Sequence, residues 1–295
     1  MSVVELSVEV GDGRSLTVRV AGPEDGVVLV AHHGTPSTGR PFPPYVEAAE
    51  ERGIRLVTYS RPGYAGSTRD VGRSVADCAA DTAAIVDQLY AERFYVIGQS
   101  GGGPHALACA ALLPDRVIAC ATTAGVGPFD ADGLDFLVGM AQENIDELGA
   151  AVEGADALEE FLQIDAEKLQ GATASDISEA LGGLVSPVDV RALTGAFAEH
   201  AVAMLHESVS TGIWGWFDDD MAFVRPWGFD VAEITVPVTV WQGAQDRMVP
   251  FAHGQWLAAN VAGASARLLE DEGHLSLILG SFPEVLDDLM AVSEV

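Results

Sequence analysis

The stretch that decides the fold is Tyr95–Ala110, YVIGQSGGGPHALACA. An apolar run stops at Gly98, a serine follows at Ser100, and three glycines open an alanine-rich run. That order reads as a buried strand, a sharp turn and a helix. Gly98-Gln99-Ser100-Gly101-Gly102 fits G-x-S-x-G, which places a serine on a strained strand-to-helix turn. Side chains two positions before and after such a serine would collide with close backbone, and Gly98 and Gly102 carry none. The new helix points free N–H groups toward the hydroxyl. The Gly101 amide is therefore expected to face negative charge developing on a reacting carbonyl.

Strand and helix alternate on both sides of this turn. Val3–Val10 and Leu16–Val20, joined by GDGR, predict a β-hairpin. VVLVAHHGTP and IRLVTYSRPGYAGS read as buried parallel strands, with a helix from Pro43 to Arg52 between them and Gly53 as its stop. SVADCAADTAAIVDQL predicts an amphipathic helix started by Ser74 with Asp77. RVIACATTAG is a further strand. The rhythm then breaks. Gly127–Asp230 shows no buried strand, and 21 acidic residues there face three basic ones. The sheet pattern returns with VPVTVWQGAQD, a helix over 251–262, SARLLEDEGH and a last helix over 275–292. The expected organisation is an α/β core of residues 1–126 and 231–295 with an inserted helical module, 127–230.

Bulk properties narrow the function. The 295 residues carry a formal net charge of −29, which opposes binding to nucleic acid or anionic lipid. No apolar run approaches the roughly 18 residues of a membrane span. The N-terminal residues do not read as a secretory signal. Cys78, Cys109 and Cys120 are odd in number and lie in apolar segments, which predicts buried free thiols and a cytoplasmic location. No spacing suggests a metal site, and no cofactor is implied. The expected partner is a small-molecule substrate; oligomeric state is open.

A serine needs a base to accept its proton. His274, in LLEDEGHLSL, follows the last strand, where a loop at the carboxyl edge of the sheet belongs. The acid should fall between them in the order Ser, Asp or Glu, His. Asp246 closes WQGAQD just past a strand end, and Asp130 is the second candidate. A second oxyanion donor is expected from HHGTP, residues 32–36, with the Thr35 amide favoured, Gly34 allowing the turn and His33 orienting the loop or contacting substrate.

HHGTP, SRPGYAGST, GQSGGGPHA, WQGAQDRMVP and EDEGHLSL, in this order, resemble the α/β-hydrolase superfamily. The resemblance spans nearly the whole chain outside the insertion. It implies an eight-stranded, mostly parallel sheet with a helical cap between the sixth and seventh strands. It places the nucleophile on Ser100, the acid on Asp246, the base on His274, and the oxyanion donors on Thr35 and Gly101. Branches that open epoxides or remove halides use an aspartate where this chain has Ser100. Proline-releasing aminopeptidases usually carry a longer glycine-rich oxyanion loop and a bulky residue after the serine, which HHGTP and GQSGGG lack. The reaction expected is cleavage of a small carboxylic ester or lactone through an acyl-enzyme. The alternatives are a proline-iminopeptidase-like aminopeptidase and a ligand-binding protein with slow turnover. Trp214, Trp216, Phe217 and Trp227 are candidate wall residues of the substrate pocket, and Asp218–Asp220 read as a solvated acidic loop.

Overall fold

Eight strands form one sheet in the order β1-β2-β4-β3-β5-β6-β7-β8. The computed structural model describes residues 3–292. β1 (Val4–Glu9) and β2 (Ser15–Ala21) are the predicted hairpin. β3 (Val27–His32), β4 (Ile54–Tyr59), β5 (Phe94–Gln99), β6 (Val117–Thr123), β7 (Val238–Gly243) and β8 (Ser265–Leu269) run parallel to one another. Only β2 meets its neighbours antiparallel, on both sides.

The central strands are apolar throughout because both faces are covered. Successive residues feed opposite layers. Val28, Val30, Phe94 and Val96 pack under α2 (Cys78–Gln88), α3 (Gly103–Leu112) and α10 (Phe251–Asn260). Leu29, Tyr95 and Ile97 pack under α1 (Pro43–Glu51) and α12 (Phe282–Ala291). Period-two alternation thus builds a core on each side of one sheet.

Two boundaries differ from expectation. Ser74 does bond Asp77 through its amide and hydroxyl, but this closes a turn, and α2 starts four residues later, at Cys78. The single helix expected over 275–292 is two, α11 (Leu275–Gly280) and α12. They break at Ser281, and Pro283 lies in the first turn of α12, where its missing N–H costs no helical bond.

Between β6 and β7 the chain is helical, as the loss of strand pattern predicted. It forms α4 (Gln142–Glu153), α5 (Ala155–Gly171), α6 (Ile177–Ala180), α7 (Pro187–Ala192), α8 (Gly195–Ser208) and α9 (Trp214–Phe223). These helices bury their own apolar clusters, one around Leu158, Leu162 and Trp216, another around Ile177, Leu193 and Leu205.

Candidate active site

Ser100, Asp246, His274 and the Thr35 loop follow carboxyl ends of parallel strands, where an open α/β sheet leaves its crevice. Ser100 follows β5 directly and opens a short 3-10 turn into α3. Its φ of 54° is left-handed, a conformation rare for a residue with a side chain. The flanking glycines are required. A Cβ on Gly98 would strike the Gly102 carbonyl, and one on Gly102 would strike the His32 carbonyl. Gly101 lies against Thr35, whose Oγ1 would sit 2.5 Å from an added Cβ. The loop after β3 therefore lies beside the start of α3.

His274 follows β8 and precedes α11. Its Nδ1 donates to Asp246 Oδ2 at 2.7 Å, which leaves Nε2 on the opposite edge of the ring. Burial would push this imidazole down. The Asp246 charge and hydrogen bond, with Asp189 adding, outweigh burial and raise it above 6.5. Asp246 is itself fixed, since its Oδ1 accepts from the Met248 and Val249 amides, each at 2.8 Å, and its Oδ2 accepts from Gln242 Nε2 at 3.0 Å. Asp130 is exposed and has no part in this pairing.

A second carboxylate belongs to the group and was not found in the sequence. Asp189, on α7, accepts from the amides of His274 at 3.2 Å and Ser276 at 3.0 Å. It also accepts from Ser186, closing a capping box at the start of α7. One buried aspartate thus ties the inserted segment to the backbone that carries His274. Ser186 and Asp189 do match a capping pattern, but their second partner lies 85 residues on.

His33 and Gly34 precede Thr35. The His33 Nδ1–H donates to the Gly34 carbonyl at 2.7 Å, and its Nε2 accepts from the Arg61 amide at 3.1 Å. Burial first, then the Arg61 charge, push His33 well below its usual value. It is a neutral strut of the loop. The Thr35–Pro36 bond is cis. His105 is also buried and its Nδ1–H donates to the Gly101 carbonyl, 2.9 Å away, and His253 bridges Gly127 and Phe136.

Ser100, Gly101, Thr35, His33 and His274 line one cavity of about 360 Å³. Its wall is mainly apolar and includes Phe42, Met140, Leu148, Phe197, Met204 and Phe223. Of the four aromatic residues expected there, Trp216 lines it and the other three do not. Trp214 carries the Arg69 guanidinium 4.0 Å from its ring centre and packs edge-on to Phe217, and Trp227 is buried in the core beside Val231. They anchor the helical segment to the sheet domain.

The DDD run is also not a solvated loop. Asp218, Asp219 and Asp220 lie in α9 with 3%, 0% and 1% exposure. Asp218 pairs with Arg69, and Asp219 with Arg61 and Arg73. Asp220 and Glu147 both line the cavity as neighbouring carboxyls, with Trp216 Nε1 donating to Glu147 at 2.6 Å. Burial pushes Glu147 up to about 7. Burial and the Glu147 charge push Asp220 well above its ordinary value. The folded chain therefore holds protons here that the unfolded chain releases above about pH 4.5, so the pair subtracts stability as pH rises toward and past 7. Asp220→Asn removes one such group. The melting temperature of this variant should fall less between pH 5 and pH 8 than that of the wild type; an equal fall in both would contradict the raised Asp220 carboxyl.

The chain matches the alpha/beta hydrolase fold family over residues 27–281, and it belongs to that family. It is 28% identical over 293 residues to a non-heme chloroperoxidase of Streptomyces lividans, covering 97% of this chain and 98% of that one. Among solved structures it resembles an esterase from Exiguobacterium antarcticum with TM-score 0.71 and 21% identity, over 98% and 100% of the two chains. It also resembles the enol-lactonase of Burkholderia xenovorans with TM-score 0.68 and 20% identity, over 97% and 100%. At those identities the two structures speak for the fold.

Proposed function

We propose that this protein is a serine hydrolase that cleaves a small carboxylic ester or lactone. The observation that carries this is the Asp246–His274 pair opening on the same mainly apolar cavity as Ser100 on its strained turn. Ser100 Oγ attacks the carbonyl carbon as His274 Nε2 takes its proton. Asp246 holds the imidazole tautomer and stabilises the imidazolium. The Thr35 and Gly101 amides stabilise the tetrahedral oxyanion. Imidazolium then protonates the leaving alkoxide, and an acyl-enzyme remains. Water, deprotonated by His274, attacks that ester and releases the acid and Ser100. Residues 127–230 act as a cap, supplying Met140, Leu148 and Trp216 to the cavity wall. The protein works as a cytoplasmic enzyme without metal or organic cofactor.

The same geometry weighs against the aminopeptidase reading. Of Asp218, Asp219 and Asp220, the acids that could meet a substrate ammonium, the first two are already neutralised by arginines, and Asp220, which lines the cavity, is pushed toward its uncharged form by burial and the Glu147 charge. A panel of short-chain esters, lactones and Pro- or Ala-naphthylamides tests the assignment. Esters or lactones should exceed the amides in kcat/KM by on the order of a hundredfold. A preference for the naphthylamides would overturn it, and binding without turnover of any of them would favour the ligand-binding alternative.

A further inference from the structure

The loop that carries Thr35 is gripped from two sides. Arg61, in the loop after β4, is fully buried. Its Nη1 donates to the His33 carbonyl, and its Nη2 donates to the Gly34 carbonyl at 2.9 Å and to Thr35 Oγ1 at 2.9 Å. A trans peptide points its N–H opposite to its C=O. Turning the Gly34 carbonyl to Arg61 therefore turns the Thr35 N–H away from it. The direction of the expected oxyanion donor is set by the two groups that hold that carbonyl, the Arg61 guanidinium and the His33 Nδ1–H.

Asp219 of α9 sets that position. It accepts from Arg61 Nε at 3.1 and 3.2 Å and from Arg61 Nη2 at 2.6 Å. It also accepts directly from Thr35 Oγ1 at 2.7 Å, from Tyr64 Oη at 2.9 Å and from Arg73 at 2.6 Å. Burial alone would push this carboxyl up, but the charges of Arg61 and Arg73 hold it well below the usual carboxylate range. It is ionised at neutral pH. The helix itself is seated by close backbone contact. A Cβ on Gly63 would lie 2.7 Å from the Gly215 amide, and a Cβ on Gly215 would strike the Tyr64 ring. Only glycine at both positions lets α9 come this near.

We propose that Asp219 is the positioning residue of the oxyanion hole, acting on the Thr35 loop directly and through Arg61, so that seating α9 and completing the hole are one event. The inference rests on the serine-hydrolase reading above. It makes the inserted segment part of the catalytic geometry as well as a wall of the pocket. Asp219 touches no substrate, and its effect is on the direction of one N–H.

The test compares Asp219→Asn, Thr35→Val and Thr35→Ser with wild type on an ester substrate, with a trifluoromethyl ketone as a probe of the tetrahedral adduct. Asp219→Asn should lower kcat on the order of a hundredfold, as loss of one oxyanion donor does, with KM within about threefold. The affinity for the ketone should fall in parallel with kcat/KM. Thr35→Val, which leaves every buried charge in place, should lose on the order of tenfold in kcat, and Thr35→Ser should recover it. Asp218→Asn, on the same helix and paired with Arg69, should keep wild-type kcat. Should Asp219→Asn not fold, the two Thr35 variants decide. Wild-type kcat and ketone affinity in Thr35→Val, or a loss in Asp219→Asn with ketone affinity unchanged, would overturn the proposal. A wild type that neither turns over esters nor binds the ketone would instead sink the hydrolase reading.

Discussion

Ser100→Ala is expected to lower kcat by about 10⁵- to 10⁶-fold, the loss seen when a triad nucleophile is removed. None of the three cysteines lines the cavity to take over. Cys109 is buried, with its thiol 3.5 Å from His32 Nε2 and from Thr82, and it does not line the cavity. Cys78 and Cys120 are buried as well. Alanine keeps the small volume that the turn between Gly98 and Gly102 requires, so the variant should fold and still bind substrate. Rates measured on the best ester, with melting curves alongside, check this. A rate within tenfold of wild type would remove Ser100 from the mechanism.

Asp246→Asn is expected to cost about 10⁴-fold in kcat and to change the pH profile. The carboxylate takes four hydrogen bonds, two from backbone amides and one each from Gln242 and His274. An asparagine amide in that place puts an N–H against a donor, so it either abandons the backbone or forces the other tautomer of His274. The base must be neutral to accept the serine proton. In the wild type its proton is held above pH 6.5, so the acid limb of kcat/KM should fall above that value. Removing the Asp246 charge should move the limb downward. The same proton affects stability in a defined direction. A raised imidazole stabilises the folded chain below its unfolded value near 6.5, and that contribution is lost as pH rises through the folded value. Profiles of kcat/KM from pH 5 to 9 for both proteins decide; an unmoved limb would contradict the pairing.

What could be read from the chain depended on the range of the interaction. The turn at Ser100 is local: Gly98 and Gly102 sit two residues away, and their steric role follows from spacing alone. The sheet and its alternation with helices were equally legible, because a buried strand writes itself as an apolar run. The rule of chain order led from Ser100 to Asp246 and His274, and the structure pairs the last two. The charges of α9 failed for the opposite reason. A triple aspartate in an acidic insertion reads as solvated surface, since its partners Arg61, Arg69 and Arg73 lie more than 140 residues earlier. Asp189 was missed similarly, because its contact with the His274 loop crosses from the insertion to the sheet domain. Trp214, Phe217 and Trp227 were misplaced because aromatic content marks burial without saying which cluster is joined. The split at Ser281 was in principle visible, since Pro283 sits two residues on.

Intact mass after treatment with a fluorophosphonate, on wild type and on Ser100→Ala, decides whether Ser100 is an activated nucleophile. A single adduct is expected on wild type and none on the variant, which locates one activated serine at position 100. A well-folded wild type that takes no adduct, or a variant labelled as fully as wild type, would contradict it.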